Sequence, residues 1–452
     1  MRIGIVGWGV EGQSAYRYLG PDNDYLIVSE EPRDDFPPES PHVKLQFLTG
    51  RRTPGLTGNV EDLSYLDGLE ACDKIIYTAP AAKNLERKFG RSRDFWQKAV
   101  TIQHIFFEEV KTKNIIGVTG TKGKGTTSTL IYEMLKASDQ TVFLGGNIGV
   151  PVLDFVKDIK PDDWVVLELS NFQLYNLTYS PHIGVCLTIA PEHLDWHPDM
   201  EDYIEAKANL FRHQKSNDIA IYFAENDYSK RIASYSAGRK IPFYATPGAR
   251  VRGDGMVVIG KNEQEIINKT DVKLLGEHNL QNICAACTAV FEALGSLDKA
   301  KTVLSSFPGL EHRLEFVRQF NGVDYYDDSF GTNPGTAMVA LRAFDRPKVI
   351  ILGGIDKGLP FDNLIDELAS GNVRQVILIG QTTDKLAGML RQKGFTAITE
   401  GAKTMPEVVQ QASHAAKPGD VVLLSTAASS FDMFKDYKDR GKQFKAAVRA
   451  LS

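Results

Sequence analysis

Short apolar runs alternate with helically spaced segments along nearly the whole chain, and this alternation predicts buried parallel strands joined by helices. Residues 2–6, 25–28 and 74–78 read as strands, with a helix over 13–19. A second series places strands at 115–118, 142–144, 164–167 and 183–187, with a helix over 126–136. Near Pro308-Gly309 the pattern restarts, and 323–326, 348–352, 375–379 and 421–424 continue it. Strands that are apolar on both faces belong to sheets covered by helices on both sides. The expected fold is therefore α/β, with three doubly wound domains. Residues 1–111 form a Rossmann-like domain, 112–309 a central P-loop ATPase-like domain, and 310–452 a second Rossmann-like domain. The Pro-, Gly- and charge-rich stretch from Glu31 to Gly58 is expected to be an irregular connection.

Composition narrows the function. A chain of 452 residues exceeds one hydrophobic core. Its net charge of −5 speaks against a nucleic-acid binder relying on a basic face. No apolar run reaches transmembrane length, and the opening strand leaves no room for a signal peptide, so a cytoplasmic protein without membrane insertion is expected. Four cysteines in so long a chain fit a reducing compartment. Cys284 and Cys287 form a C-x-x-C within an apolar helical segment, with no second cysteine pair near, so packing is expected rather than metal binding.

Candidate chemistry collects at strand ends, where open α/β sheets bind ligands. Gly117-Val118-Thr119-Gly120-Thr121-Lys122-Gly123-Lys124-Gly125-Thr126-Thr127 joins a strand to a helix. Its glycines allow backbone N–H groups to close on phosphate, and the helix N-terminus adds partial positive charge. Lys124 neutralises terminal phosphates. Because Gly125 follows the lysine, Thr126 must supply the Mg²⁺ hydroxyl. Further strand ends carry Gly146-Asn147, then Glu168-Leu169-Ser170-Asn171, then Glu192-His193. Glu168 and His193 could converge with Thr126 on Mg²⁺. Read singly, Glu168 could be a solvated charge and His193 a helix cap. Lys207, in an amphipathic segment, reads on bare sequence as a surface lysine. Asn279 and Asn282 share a helix face and could read an adenine edge or cap a helix.

The outer domains carry their own clusters. Gly7, Gly9 and Gly12 form a G-x-G-x-x-G after the first strand, with Glu30 after the second and Pro80 after the third. Alone this fingerprint could hold NAD, hold a nucleotide sugar, or pack a helix on a strand. Arg313 follows an apparent linker, placed to reach a nucleotide from the next domain. Asp328, Thr332, Lys357, Ser430 and Phe431 lie in strand-end clusters of the last domain. A second substrate site there suggests closure over two ligands.

Together these motifs resemble the Mur ligases, ATP-dependent enzymes that build the peptidoglycan stem peptide, over nearly the whole chain. Within the family the chain is most similar to the branch that joins D-glutamate to UDP-N-acetylmuramoyl-L-alanine. The features that carry this are the compact G-x-G-x-x-G domain, Gly146-Asn147-Ile148-Gly149, the Glu168 to Leu174 segment, and Ser430-Phe431-Asp432-Met433-Phe434 with Arg440-Gly441. The resemblance implies ATP held by Gly120, Thr121, Gly123, Lys124, Gly125, Thr126, Thr127, Asn282, Arg313 and Asp328. It implies two Mg²⁺ ions near Thr126, Glu168, His193 and Lys207, the last as a carbamate formed with CO₂. Lys124, His193 and Lys207 are then the catalytic residues. Gly9, Val10, Glu30, Pro80 and Asn147 face the UDP-sugar. Thr332, Lys357, Ser430, Phe431 and Tyr437 face the amino acid. A monomer is expected.

Some positions depart from the family pattern. Phe330 stands where that branch usually has lysine, so weaker binding of a dicarboxylate is expected. Ala81 ends what is usually Ser-Pro-Gly, and Thr188 replaces the usual Asn. A same-fold ligase with another amino acid or acceptor, or a nucleotide-binding regulator without turnover, are the alternatives. A dehydrogenase lacks any further support in the chain.

Overall fold

The structure is a computed structural model that describes residues 1–48, 62–274, 276–356 and 358–452. The chain divides into two compact units, Met1–Val272 with His278–Ser306, and Lys273–Glu277 with Phe307–Ser452. Every strand expected from the apolar runs is present, with ends shifted by no more than two residues.

The first unit carries two parallel sheets. In the N-terminal one the spatial order is Val43–Phe47, Asp24–Ser29, Arg2–Val6, Lys74–Tyr77, Ala99–Val100. Val43–Phe47 corrects the expectation of an irregular connection, because it pairs in parallel along Asp24–Ser29. Only Val43 in it is buried, which is why its apolar signal was faint. Residues 49–61, the rest of that stretch, lie outside the described residues.

The central sheet runs Arg239–Phe243, Ile219–Phe223, Ile183–Cys186, Ile115–Thr119, Trp164–Glu168, Val142–Gly146. Ile115–Thr119 therefore lies between two later strands. Its loop opens at the switch point, where the connections on either side leave a crevice. A small antiparallel sheet of Arg250–Val251, Met256–Ile259 and Gln264–Asn268 was not foreseen.

One core joins the two large sheets of this unit. Ile3 and Ile5 of the first sheet, with Trp8 just after it, pack in the same cluster as Val165 of the second and Leu210 and Phe211 of the helix Met200–Arg212. Polar ties reinforce it. Ser14 and Arg17 both donate to Asp154, and Gln103 and Gln173 both donate to Glu11.

The second unit holds the order Glu315–Phe320, Val323–Asp327, Val421–Leu424, Lys348–Gly353, Val373–Ile379, Ile398–Thr399, antiparallel only at its first strand. Cys284 and Cys287 are buried in the helix Glu277–Leu294. Among the described residues no helix is long and apolar enough to cross a membrane.

Candidate functional site

The phosphate loop forms because Ile115–Thr119 is wholly buried and must turn sharply into the helix Lys124–Ala137. Gly123 makes that turn at φ 86, a left-handed value, and no side chain caps the helix. A Cβ there would come within 2.2 Å of the Asn282 Oδ1, so the position admits only glycine. An uncapped helix start leaves backbone N–H groups without side-chain partners, a setting that suits an anionic ligand. Thr121 anchors the loop from below. Its hydroxyl meets the Ala190 carbonyl at 3.0 Å and the Tyr203 hydroxyl at 3.0 Å, and its N–H donates to the Thr188 carbonyl. Position 188 thus supports the loop through its backbone.

Two lysines converge on one carbonyl. Lys124 donates to the Gly120 oxygen at 2.8 Å and to that of Thr121 at 3.1 Å. Lys207 reaches the same Gly120 oxygen at 3.1 Å, and the Thr119 hydroxyl at 3.4 Å. Lys207 is 1% exposed, which corrects its bare-sequence reading as a surface lysine. Its helix, Met200–Arg212, is buried along Tyr203, Ile204 and Ala206 to Phe211, so this face packs under the loop. Burial, and then the neighbouring Lys124, hold the Lys207 amine well below the usual lysine range.

Carboxylate and imidazole stand close by. Glu168 is buried, and its carboxylate accepts from the neutral Asn147 amide at 2.8 Å, with no ion pair to it among the described residues. His193 sits in a left-handed turn at φ 57 rather than capping a helix. The helix that follows is capped by Asp199 instead. Burial lowers the His193 pKa, and Lys207 and Lys124 push the same way against Glu192 and Asp195. Lys207 in turn feels Glu192 and Glu168. Thr126, 8% exposed, lies in the first turn of the loop helix with Gly125 and Thr127. By chemistry, the oxygens of Glu168 and Thr126 are donor types that could hold a divalent cation, with the His193 imidazole as a further candidate. Asn282 faces the loop, accepting from Thr127 at 3.4 Å and donating to Asn279 at 3.0 Å.

Sequence reasoning missed His197 and its holders. His197 is buried, with Nδ1 on Asp202 at 2.7 Å and Nε2 facing the Asn171 amide at 2.9 Å. Donation from that amide makes Nε2 an acceptor and leaves the proton on Nδ1. Next to it the Trp196 indole donates to the Pro80 carbonyl at 3.3 Å, tying the phosphate site to the N-terminal sheet. The only available signal was the aromatic and histidine density of residues 193–197.

At the strand ends of the N-terminal sheet lies an open cleft of about 210 Å³. Gly9, Glu30 and Pro80 line it, with Ser29, Arg33 and Tyr65. Val10 is 70% exposed at the start of the adjoining helix and is not among the lining residues.

In the second unit the guanidinium of Arg440 is fully buried and pins two loops. It donates to the Ser329 hydroxyl and carbonyl at 2.8 and 2.7 Å, and to the Ala428 carbonyl at 3.2 Å. Burial pushes its pKa down to about 10. Asp328 beside it accepts from Ser425 at 2.7 Å and from the Leu314 N–H at 3.3 Å, and burial raises its carboxyl to about 7. Ser430 is buried, Thr332 half-buried, and Phe431 is 68% exposed. Tyr437 begins the helix Tyr437–Arg449, with its carbonyl held by Ser329. Lys357 lies outside the described residues.

Comparison with known proteins places the chain in a family. Residues 118–290 match the Mur ligase middle domain, and 312–428 match the Mur ligase glutamate ligase domain. The UDP-N-acetylmuramoylalanine--D-glutamate ligase of Symbiobacterium thermophilum is 41% identical, over 100% of this chain and 98% of the relative. That of Acetivibrio thermocellus is 37% identical over 86% of this chain and 84% of its own. The crystal structure of MurF ligase from Thermotoga maritima in complex with ADP superposes with a TM-score of 0.59 at 18% identity. It covers 99% of this chain and 95% of the other. That likeness speaks to the fold.

Proposed function

The chain belongs to the Mur ligase family, and from that premise we propose that it joins D-glutamate to UDP-N-acetylmuramoyl-L-alanine with conversion of ATP to ADP and phosphate. The observation that carries the reading is the convergence of Lys124 and Lys207 on the Gly120 carbonyl, beside Glu168 and His193. An amine kept neutral by burial is a nucleophile. The Lys207 nitrogen can add to CO₂ and release a proton, leaving a carbamate anion where Lys124 supplies the opposing charge. Glu168, Thr126, His193 and that carbamate would then hold two Mg²⁺ ions, which supply positive charge to the phosphates of ATP.

The reaction has two steps. The alanyl carboxylate oxygen attacks the γ-phosphorus, and the bond to the leaving ADP oxygen breaks. The D-glutamate amine then attacks the acyl carbon, phosphate departs, and the nitrogen loses a proton. Activation is needed because a free carboxylate is a poor acyl donor. Lys124 is now spent on loop carbonyls, and it turns onto the transferring phosphoryl group, where negative charge spreads. His193, held uncharged, adds no competing cation there.

The cleft at Gly9, Glu30 and Pro80 takes the UDP-sugar, with Asn147 further along its path. Asn282 meets the adenine, and Arg313 and Asp328 the ribose or phosphates. Thr332, Lys357, Ser430, Phe431 and Tyr437 surround the amino acid. The protein acts in the cytoplasm as a monomer. The decisive test is kcat/KM over a panel of D- and L-amino acids, with UDP-N-acetylmuramoyl-L-alanine and ATP. Preference for D-glutamate, with ADP release requiring both other substrates, is the expected result. Preference for another amino acid would leave only the family-level activity, and ATP binding with no ADP release in the presence of both would point to a regulator.

A further inference from the structure

Phe330 is not simply a missing cation. Its N–H donates to the His312 carbonyl at 3.0 Å, so the backbones of 312 and 330 are fastened side by side. Arg313 is bracketed by two left-handed residues, His312 at φ 65 and Leu314 at φ 47. Backbone in that region is strained for side chains of this size and tends to sit where a precise direction is needed. The guanidinium carbon of Arg313 then lies 3.8 Å from the centre of the Phe330 ring. The same ring packs perpendicular to Tyr437, at 5.2 Å between centroids and 89° between planes. The frame beneath is rigid. His312 is buried against Asp327 at 2.7 Å, and Arg440 fixes Ser329. Phe330 itself remains 39% exposed.

We infer that Phe330 is a positioning residue, an aromatic platform that holds the Arg313 guanidinium in a fixed pose for nucleotide binding. The inference rests on the proposed role of Arg313 as a nucleotide contact. An aromatic face attracts a guanidinium and limits its rotation, so the cation is held in place before the ligand arrives. A lysine at 330 would instead set a second cation against Arg313.

The test is steady-state kinetics on Phe330→Leu, Phe330→Tyr, Phe330→Lys, Arg313→Ala and the double variant Phe330→Leu/Arg313→Ala, with thermal midpoints as a check on folding. Phe330→Leu should raise KM for ATP roughly three- to tenfold, with kcat and KM for D-glutamate changed less than about twofold. Phe330→Tyr keeps the ring and should restore wild-type values. Phe330→Lys should be worse for ATP than Phe330→Leu, and the double variant no worse than Arg313→Ala. If Arg313→Ala raises KM for ATP and Phe330→Leu does not, the platform is wrong while the role of Arg313 stands. If Arg313→Ala itself leaves KM for ATP unchanged, the role of Arg313 fails and the inference with it. A Phe330→Lys enzyme with tighter D-glutamate and unaltered ATP binding would also overturn it, by showing that the position is a vacated amino-acid contact.

Discussion

Lys207 and Asp328 are both buried ionisable groups, and each carries a measurable consequence. Among the described residues Lys207 has no carboxylate in ion-pairing contact, so the neutral amine is the form its surroundings accept, and it is this amine that the proposed carbamate would start from. Lys207→Ala should be inactive, and small carboxylic acids such as formate should partly restore turnover by supplying the lost anion. Lys207→Ala with full activity and no additive would remove the lysine from the mechanism. Asp328 has a folded pKa of about 7, above the 3.8 of an ordinary aspartate. Between those values the native state binds more protons than the unfolded chain. Its contribution is therefore fully present below about pH 4 and is lost as pH rises through 7, on the order of 4 kcal/mol in total. Denaturant midpoints measured from pH 4 to 8 should show this fall for the wild type, and Asp328→Asn should flatten it.

At the scale of elements, the strand-loop-helix of the phosphate site makes a sharp claim. Gly123→Ala puts a Cβ against Asn282 at a left-handed φ, so the loop must move or the Asn279–Asn282 pair must break. We expect KM for ATP to rise about tenfold or more. Gly90 also has a left-handed φ, 57, but nothing lies within 4 Å of its Cβ position. Gly90→Ala should therefore cost only about 1 kcal/mol of stability and leave the kinetics alone. Comparison of both variants separates the backbone penalty from the steric one. These elements were readable from the chain because their signals are local. A buried strand, three spaced glycines and a lysine fall within a dozen positions, and the helix begins within two residues of its expected start. Val43–Phe47 was unreadable for the opposite reason: its only buried residue is Val43, and its status as a strand comes from pairing with Asp24–Ser29.

For the whole molecule, the N-terminal and central sheets share one core, with Trp8 and Val165 in the same cluster. They should unfold together. Single-tryptophan variants reporting from Trp8 and from Trp164 should give the same midpoint in urea, and separate midpoints would show that the sheets are independent. The sequence by itself determined the alternation of strands and helices, the phosphate loop, and the strand ends at which Glu168, His193 and Asp328 stand, because apolar periodicity and glycine spacing act over a few residues. Tertiary structure alone decided that Lys207 is buried under Gly120, that His197 is clamped between Asp202 and Asn171, and that Arg313 rests on Phe330. Periodicity tells which face of an element turns inward but not which neighbour meets it. A lysine on an amphipathic helix takes its charge state from that neighbour, through burial and the field of groups far away in the chain.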